Sequence, residues 1–313
     1  MRSVRRNSWR RGVGLSIVAG FFCSAMAAAA PVELGQAEGR LQLAQITALL
    51  AGVYDNDPQR FYLEGMKRGK TAPPRLHLEI RKSAQLPNGF DLEERDGSEH
   101  APIVRSGVLT LENDAKTRQV TMRLQVTMPV TGDSARCEWR WRKHLSSWLA
   151  EPVGDCADAV SAGLAGKILW LADDALWLQS VGGAAAAAAA AGIVDTAELG
   201  RANMHECFVA VQARGGEPQI FMGLKTHDRG GTLDIVTKEK TPRKFNLTLR
   251  RGMWPSNSGN NLLELITLTA REEGQPVQAS SGWATPDSPR VGFGNEEELE
   301  SGRSINARCK RAL

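Results

Sequence analysis

The sequence predicts a mainly β protein, built as a barrel or a sandwich of antiparallel strands. Short segments alternate apolar and polar residues with period 2, as in Leu76–Ile80 and Gln119–Met128. Gly, Pro and Asp bound these segments, and they follow one another with short turns. That is the pattern of half-buried antiparallel strands.

At the N-terminus, Arg2, Arg5, Arg6, Arg10 and Arg11 precede an uncharged run from Gly12 to Val32. Val13–Phe22 is apolar but too short to span a bilayer, and Ala25-Met26-Ala27 offers a small-x-small cleavage pattern. Together these read as a secretory signal over residues 1 to about 27, and the expected compartment is the periplasm or the exterior.

Removing the signal changes the charge. The full chain has 39 Lys and Arg against 35 Asp and Glu, and loss of the five arginines leaves 34 basic residues, a net of about −1. A near-neutral chain offers no whole-chain attraction for nucleic acid. No second apolar stretch is long enough for a membrane span, so no stable insertion is expected after cleavage. Cys23 also leaves, and Cys137, Cys156, Cys207 and Cys309 remain. An even number in an exported chain reads as two disulfides. Three connectivities are possible; Cys137–Cys156 with Cys207–Cys309 is the simplest, because each pair stays within one part of the chain. No Cys-x-x-Cys pair supports a zinc knuckle instead.

Three regions follow. Residues 38–181 open with a helix expected over Glu38–Val53, from Leu41, Ile46, Leu49 and Leu50. Strands then follow at Leu76–Ile80, Gln119–Met128, Cys137–Trp141, Ile168–Leu171 and Leu176–Gln179, the last two joined across Asp173-Asp174. Residues 182–199 hold eight consecutive alanines between glycines and form either a helix or a linker. Residues 200–313 add strands at Cys207–Gln212, Ile220–Leu224, Leu233–Val236, Phe245–Leu249, Leu262–Leu268 and Gln278–Trp283.

The common catalytic signatures are missing: no phosphate-cradling Gly-x-x-x-x-Gly-Lys loop and no Gly-x-Ser-x-Gly elbow. His205-Glu206-Cys207 lacks the second histidine of a zincin helix. Asp55-Asn56-Asp57 runs into Pro58 and lacks the glycine of a calcium loop. No metal site is expected. His227-Asp228-Arg229-Gly230-Gly231 reads either as a site with His227 exposed and tuned by Asp228, or as a β-turn with a solvated Arg229. Trp139, Trp141, Trp148, Trp170 and Trp177 either line a cavity or fill a β core. Glu93-Glu94-Arg95 either points one carboxylate into a barrel or lies on a solvated edge.

Leu50-Ala51-Gly52-Val53-Tyr54-Asp55-Asn56 with Gln59 is similar to the opening of the CpcT/CpeT family of chromophore (phycobilin) lyases. Leu76–Ile80, Phe90-Asp91-Leu92-Glu93-Glu94, Cys137-x-Trp with Cys156, and Leu176-Trp177 resemble its later elements. His227-Asp228 through Gly231, Met253-Trp254-Pro255, Trp283-Ala284 with Asp287, and Cys309 resemble the longer, exported proteobacterial type. The resemblance spans nearly the whole mature chain. It implies a calycin-like antiparallel barrel closed around a cavity, which binds a linear tetrapyrrole (bilin) inside the barrel and attaches it to a client protein's cysteine. Glu93 would then protonate the chromophore and Arg105 would hold its propionates. The ligand contacts would fall on His77, Trp139, Trp141, His227 and Asp228. The alternative is a non-catalytic periplasmic barrel that binds another apolar ligand or a protein partner.

Overall fold

The computed structural model describes residues 31–66, 71–114, 117–127, 134–154, 156, 163–212, 217–256, 259, 261–275, 280–294 and 305–312. The expected signal segment, Met128 and residues 278–279 of the last expected strand lie outside them. Among the described residues no helix is long and apolar enough to cross a membrane.

Ten strands close into an antiparallel barrel. They are β1 (Gly52–Asp55), β2 (Leu76–Lys82), β3 (Gly89–Asp96), β4 (Ile103–Asp114), β5 (Gln119–Thr127), β6 (Ser134–His144), β7 (Ser147–Val153), β8 (Ile168–Leu171), β9 (Ala175–Gln179) and β10 (Thr196–Arg201). From β2 to β10 each strand pairs with its neighbour in the chain, and β1 completes the ring between β10 and β2. Closure removes every free edge, so no backbone row is left to pair with another chain. The mainly β, barrel-type fold expected from the alternation is present.

The first helix ends earlier than its apolar spacing suggested. α1 spans Pro31–Leu50, and by Gly52 the chain is already a strand rather than helix through Val53. Tyr54 donates its hydroxyl to the carbonyls of Leu49 (2.8 Å) and Leu50 (3.2 Å), occupying acceptors that a helix end leaves open. Gly52 and Val53 meanwhile pair with Ile80 and Glu79. Ile46 and Leu50 sink into the barrel core, whereas Leu41 stays exposed.

The alanine tract forms a short helix, Gly182–Ala190, and β10 follows it. The barrel therefore runs to Arg201 rather than stopping at residue 181. The tract is a connection within the barrel, because β10 is the strand that joins β9 to β1.

The rest of the chain folds as two four-stranded sheets over one core. One has the order β12 (Gln219–His227), β11 (Met204–Val211), β18 (Ile305–Arg311), β17 (Arg290–Phe293). The other has β13 (Arg229–Val236), β14 (Lys244–Pro255), β15 (Leu262–Glu272), β16 (Ser280–Ala284). Val209, Val211 and Ala307 of the first meet Leu247, Leu249 and Leu268 of the second. Both expected disulfides form, Cys137–Cys156 and Cys207–Cys309, as suits an oxidising environment. The second joins directly opposed residues of β11 and β18.

Candidate functional site

The densest polar cluster lies on the outside of the barrel, where the two-sheet module covers β1 and β2. Alternation along these strands sends Tyr54 and Leu78 into the core and Asp55 and His77, paired in register, outward. The β12–β13 turn then lays His227 over them. Asp55 is fully buried, and His77 and His227 are nearly so. The two imidazoles stack with centroids 5.2 Å apart.

Asp55 is the hub. Its Oδ2 faces His77 Nδ1 at 3.1 Å and accepts from Arg75 Nη2 at 2.9 Å, while Oδ1 accepts from Arg75 Nε and the Asp57 amide. Arg75 also donates to the Gly230 carbonyl at 3.0 Å. Arg250 of β14 reaches back to Asp57 at 2.6 Å. Glu99, in the β3–β4 connection, accepts from the Thr232 amide through Oε1. Its Oε2 sits 3.5 Å from His227 Nε2, and neither atom has a hydrogen-bond partner. Burial pushes the Glu99 carboxyl up, but His227 and the backbone amides of Thr232 and Glu99 outweigh it and bring it to about 2.

Asp55, His77 and His227 each offer one ligand atom within 4.8 Å of the others, so the cluster has the donor types of a metal site. Its geometry already has a cation, because both Asp55 oxygens are taken by Arg75. His227 Nδ1 accepts the Arg229 amide at 3.2 Å, which turns Nε2 towards Glu99. The arrangement acts as an ion-paired lock between the modules. At 4 % and 2 % exposure, neither histidine is open to a substrate.

The barrel interior is packed. Trp139 and Trp141 are wholly buried with Trp148 beside them, and Trp139 donates its indole N–H to the Lys167 carbonyl at 2.7 Å. Trp177 by contrast points out and Trp170 lies against His144. Of the two glutamates in β3, Glu94 faces inward and Glu93 outward. Glu94 is bonded to Arg105 and accepts the Leu164 amide at 3.1 Å; Arg105 also holds Asp96. Gly163, at φ 81°, passes so close that a Cβ there would strike Glu94. Residues 163–165 thus plug one end of the barrel over this ion pair. Burial raises the Glu94 carboxyl pKa, against the pull of Arg105 and the Leu164 amide.

Glu93 lines a different feature, a groove of about 1020 Å3 over the outer face of β3 to β6. Asp91, Arg123 and Arg136 share its walls with the Cys137–Cys156 bridge. Glu93 is held by Arg81 (2.6 Å) and Arg95 (2.9 Å).

The site residues expected from the sequence therefore separate. His77 and His227 meet in the seam, where Asp228 holds the Asn203 amide and side chain, both at 2.8 Å. Trp139, Trp141 and Arg105 are inside the barrel, and Glu93 is on its outer wall. The His227 turn is neither an exposed site nor a solvated turn: His227 is buried, and Arg229 is half-buried, donating to the Arg201 carbonyl at 3.2 Å. Asp55, Arg75 and Glu99 carry the seam but were not singled out as site residues, since only the fold brings them together. Compared with family models, with curated proteins and with solved structures, the chain matches none.

Proposed function

We propose that this chain is a periplasmic binding module of the chromophore-lyase type, exported through its N-terminal signal, which carries an elongated tetrapyrrole-like ligand on its outer face. The observation that supports it most is the groove over β3 to β6, with carboxylates and guanidiniums on its walls. A linear tetrapyrrole needs cations for its propionates and acceptors for its pyrrole N–H groups. Arg136 supplies the first, Arg123 being already paired with Glu112 and Glu138, and Asp91 and Glu93 the second. The groove's volume is in the range of small-molecule sites, whereas the barrel lumen is filled by tryptophan and leucine.

The groove's cysteines, Cys137 and Cys156, are bridged to each other, so neither offers a thiolate to an electrophilic chromophore. The reading is accordingly non-covalent carriage, with the attacking thiol on a client protein.

The test is an absorption spectrum of mature protein purified from the periplasm, followed by titration with biliverdin. A red-shifted visible band is expected, with affinity reduced at least about tenfold by Arg136→Ala or Glu93→Gln, the loss of one charge-assisted contact. A colourless protein that leaves the biliverdin spectrum unchanged overturns the reading.

A further inference from the structure

The sheet formed by β13 to β16 buries one face in the second core and turns the other to solvent. Registry sets what that outer face presents. Thr232 lies beside Thr248, Thr248 beside Thr269, and Thr269 beside Ser281, so a row of hydroxyls crosses all the strands. One step along, Arg250 lies beside Thr267 and Thr267 beside Trp283. Thr267 donates its hydroxyl to the Arg250 carbonyl at 3.2 Å, which leaves the oxygen's lone pairs available to a ligand.

A cleft of about 500 Å3 opens over this face, and its aromatic walls are Phe61, Trp254 and Trp283. Trp283 is 71 % exposed among threonines, a large indole surface left in water. Trp254 leans on Phe61 at 5.3 Å and closes one wall of the cleft.

The combination fits one chemical class. Thr248 donates its hydroxyl to Asn246 Oδ1 and Thr269 to the Thr248 carbonyl, so a purely apolar ligand would cover the acceptor lone pairs that both leave open. Of the cleft's two guanidiniums, Arg250 is already bonded to Asp57, which leaves an anion Arg271 alone. A sugar ring has a C–H face for an indole and an edge of hydroxyls that both donate and accept. We propose that this cleft is an oligosaccharide-binding site, with Trp283 as the stacking platform and Thr248, Thr269 and Ser281 as polar partners. It uses the Met253-Trp254-Pro255 and Trp283-Ala284 segments, which the groove over β3 to β6 leaves unused, and it stands or falls separately from that groove.

Isothermal titration of the full, disulfide-bonded mature chain with chitotetraose, cellotetraose and maltotetraose tests it. Binding of at least one with Kd of roughly 1 mM or tighter is expected, as for an open, shallow site. Trp283→Ala should weaken it at least about tenfold, while Arg136→Ala, in the other groove, leaves it unchanged. Because Trp283 is exposed, Trp283→Ala should retain the parent's circular dichroism and melting temperature, which separates lost binding from lost folding. The proposal is overturned if none of the three sugars binds at millimolar concentration, or if Trp283→Ala binds like the parent. Self-association abolished by Trp283→Ala would also overturn it, by assigning the face to a second copy of the chain.

Discussion

His77 and His227 stack across the seam between the barrel and the two-sheet module, their rings 29° from parallel and their centroids 5.2 Å apart. Each faces a different carboxylate, His77 towards Asp55 at 3.1 Å and His227 towards Glu99 at 3.5 Å. The pair is thus the point at which the barrel reads the position of the second module. His77→Ala and His227→Ala should each cost about 1–3 kcal/mol, through lost ring packing and, for His77, a lost contact to the buried Asp55 carboxylate. Residues in contact couple, so the double variant should fall short of the sum by at least about 0.5 kcal/mol. Urea denaturation of the four proteins measures it, and strict additivity would mean that the rings are neighbours without interaction.

Asp55 carries more of this lock than either ring, because it is fully buried and neutralised by Arg75. Removing one partner of a buried ion pair leaves the other uncompensated and typically costs 3–5 kcal/mol. Asp55→Ala should therefore be more damaging than His77→Ala, with Asp55→Asn intermediate since it keeps an acceptor for Arg75. A Tm for Asp55→Ala at or above that of His77→Ala would remove Asp55 from the centre of the site.

The acid limb of stability should report Glu99. Its carboxyl is depressed from the ordinary 4.5 to about 2, so folding favours the ionised form. That contribution is complete above about pH 4.5 and is lost as pH falls towards 2. After allowance for partial exposure it is on the order of 1–2 kcal/mol. Glu94 has the opposite sign: its raised pKa makes its contribution greatest in acid and loses it as pH rises. Glu99→Gln should thus be less stable than the parent at pH 7, with the gap closing between pH 4.5 and 2. A gap that stays constant with pH would show that Glu99 does not ionise differently on folding.

How much of this was legible in the sequence follows from what alternation can encode. Leu-His-Leu-Glu-Ile marks β2 because Leu76, Leu78 and Ile80 share one face, and the same pattern sends His77 to the other. It does not say what covers that face, which is why the sequence points His77 to a ligand and not to a seam with His227, some 150 residues away in the chain. Glu93 and Glu94 show a second limit. Adjacent residues on a strand point to opposite sides, but choosing the inner one needs the register against Leu78 and Arg105, which only the closed barrel supplies. The cysteines were legible because export and an even count constrain them before any geometry. The Thr-Trp face of β13 to β16 was not, because single hydroxyls on separate strands carry no local pattern.

The Glu94–Arg105 pair separates a structural role from a ligand role for Arg105. Inside the barrel, Arg105→Met would strand a buried carboxylate and should cost about 3–5 kcal/mol. Glu94→Leu with Arg105→Met removes both charges, and apolar replacement of a buried pair is often neutral. The double variant should therefore recover most of the parent's stability and, with the groove outside the barrel intact, bind biliverdin as the parent does. Recovered stability with lost biliverdin binding would move the ligand from the outer groove into the barrel.

The two disulfides should differ in what they contribute. Cys207–Cys309 closes a loop with a sequence separation of 102 and ties β18 to β11 in the middle of its sheet; Cys137–Cys156 spans 19. In the chain-entropy account, loops of about 100 and about 20 residues stabilise by roughly 4.7 and 3 kcal/mol. Cys207→Ser/Cys309→Ser should accordingly lose about 1–2 kcal/mol more than Cys137→Ser/Cys156→Ser in equilibrium denaturation. The packing around each bridge works in the same direction, since Cys309 is fully buried in a core of two small sheets that has no closed barrel to support it. If the Cys137–Cys156 variant were the weaker, the segment that plugs the barrel over Glu94 would have to depend on that bridge for its position.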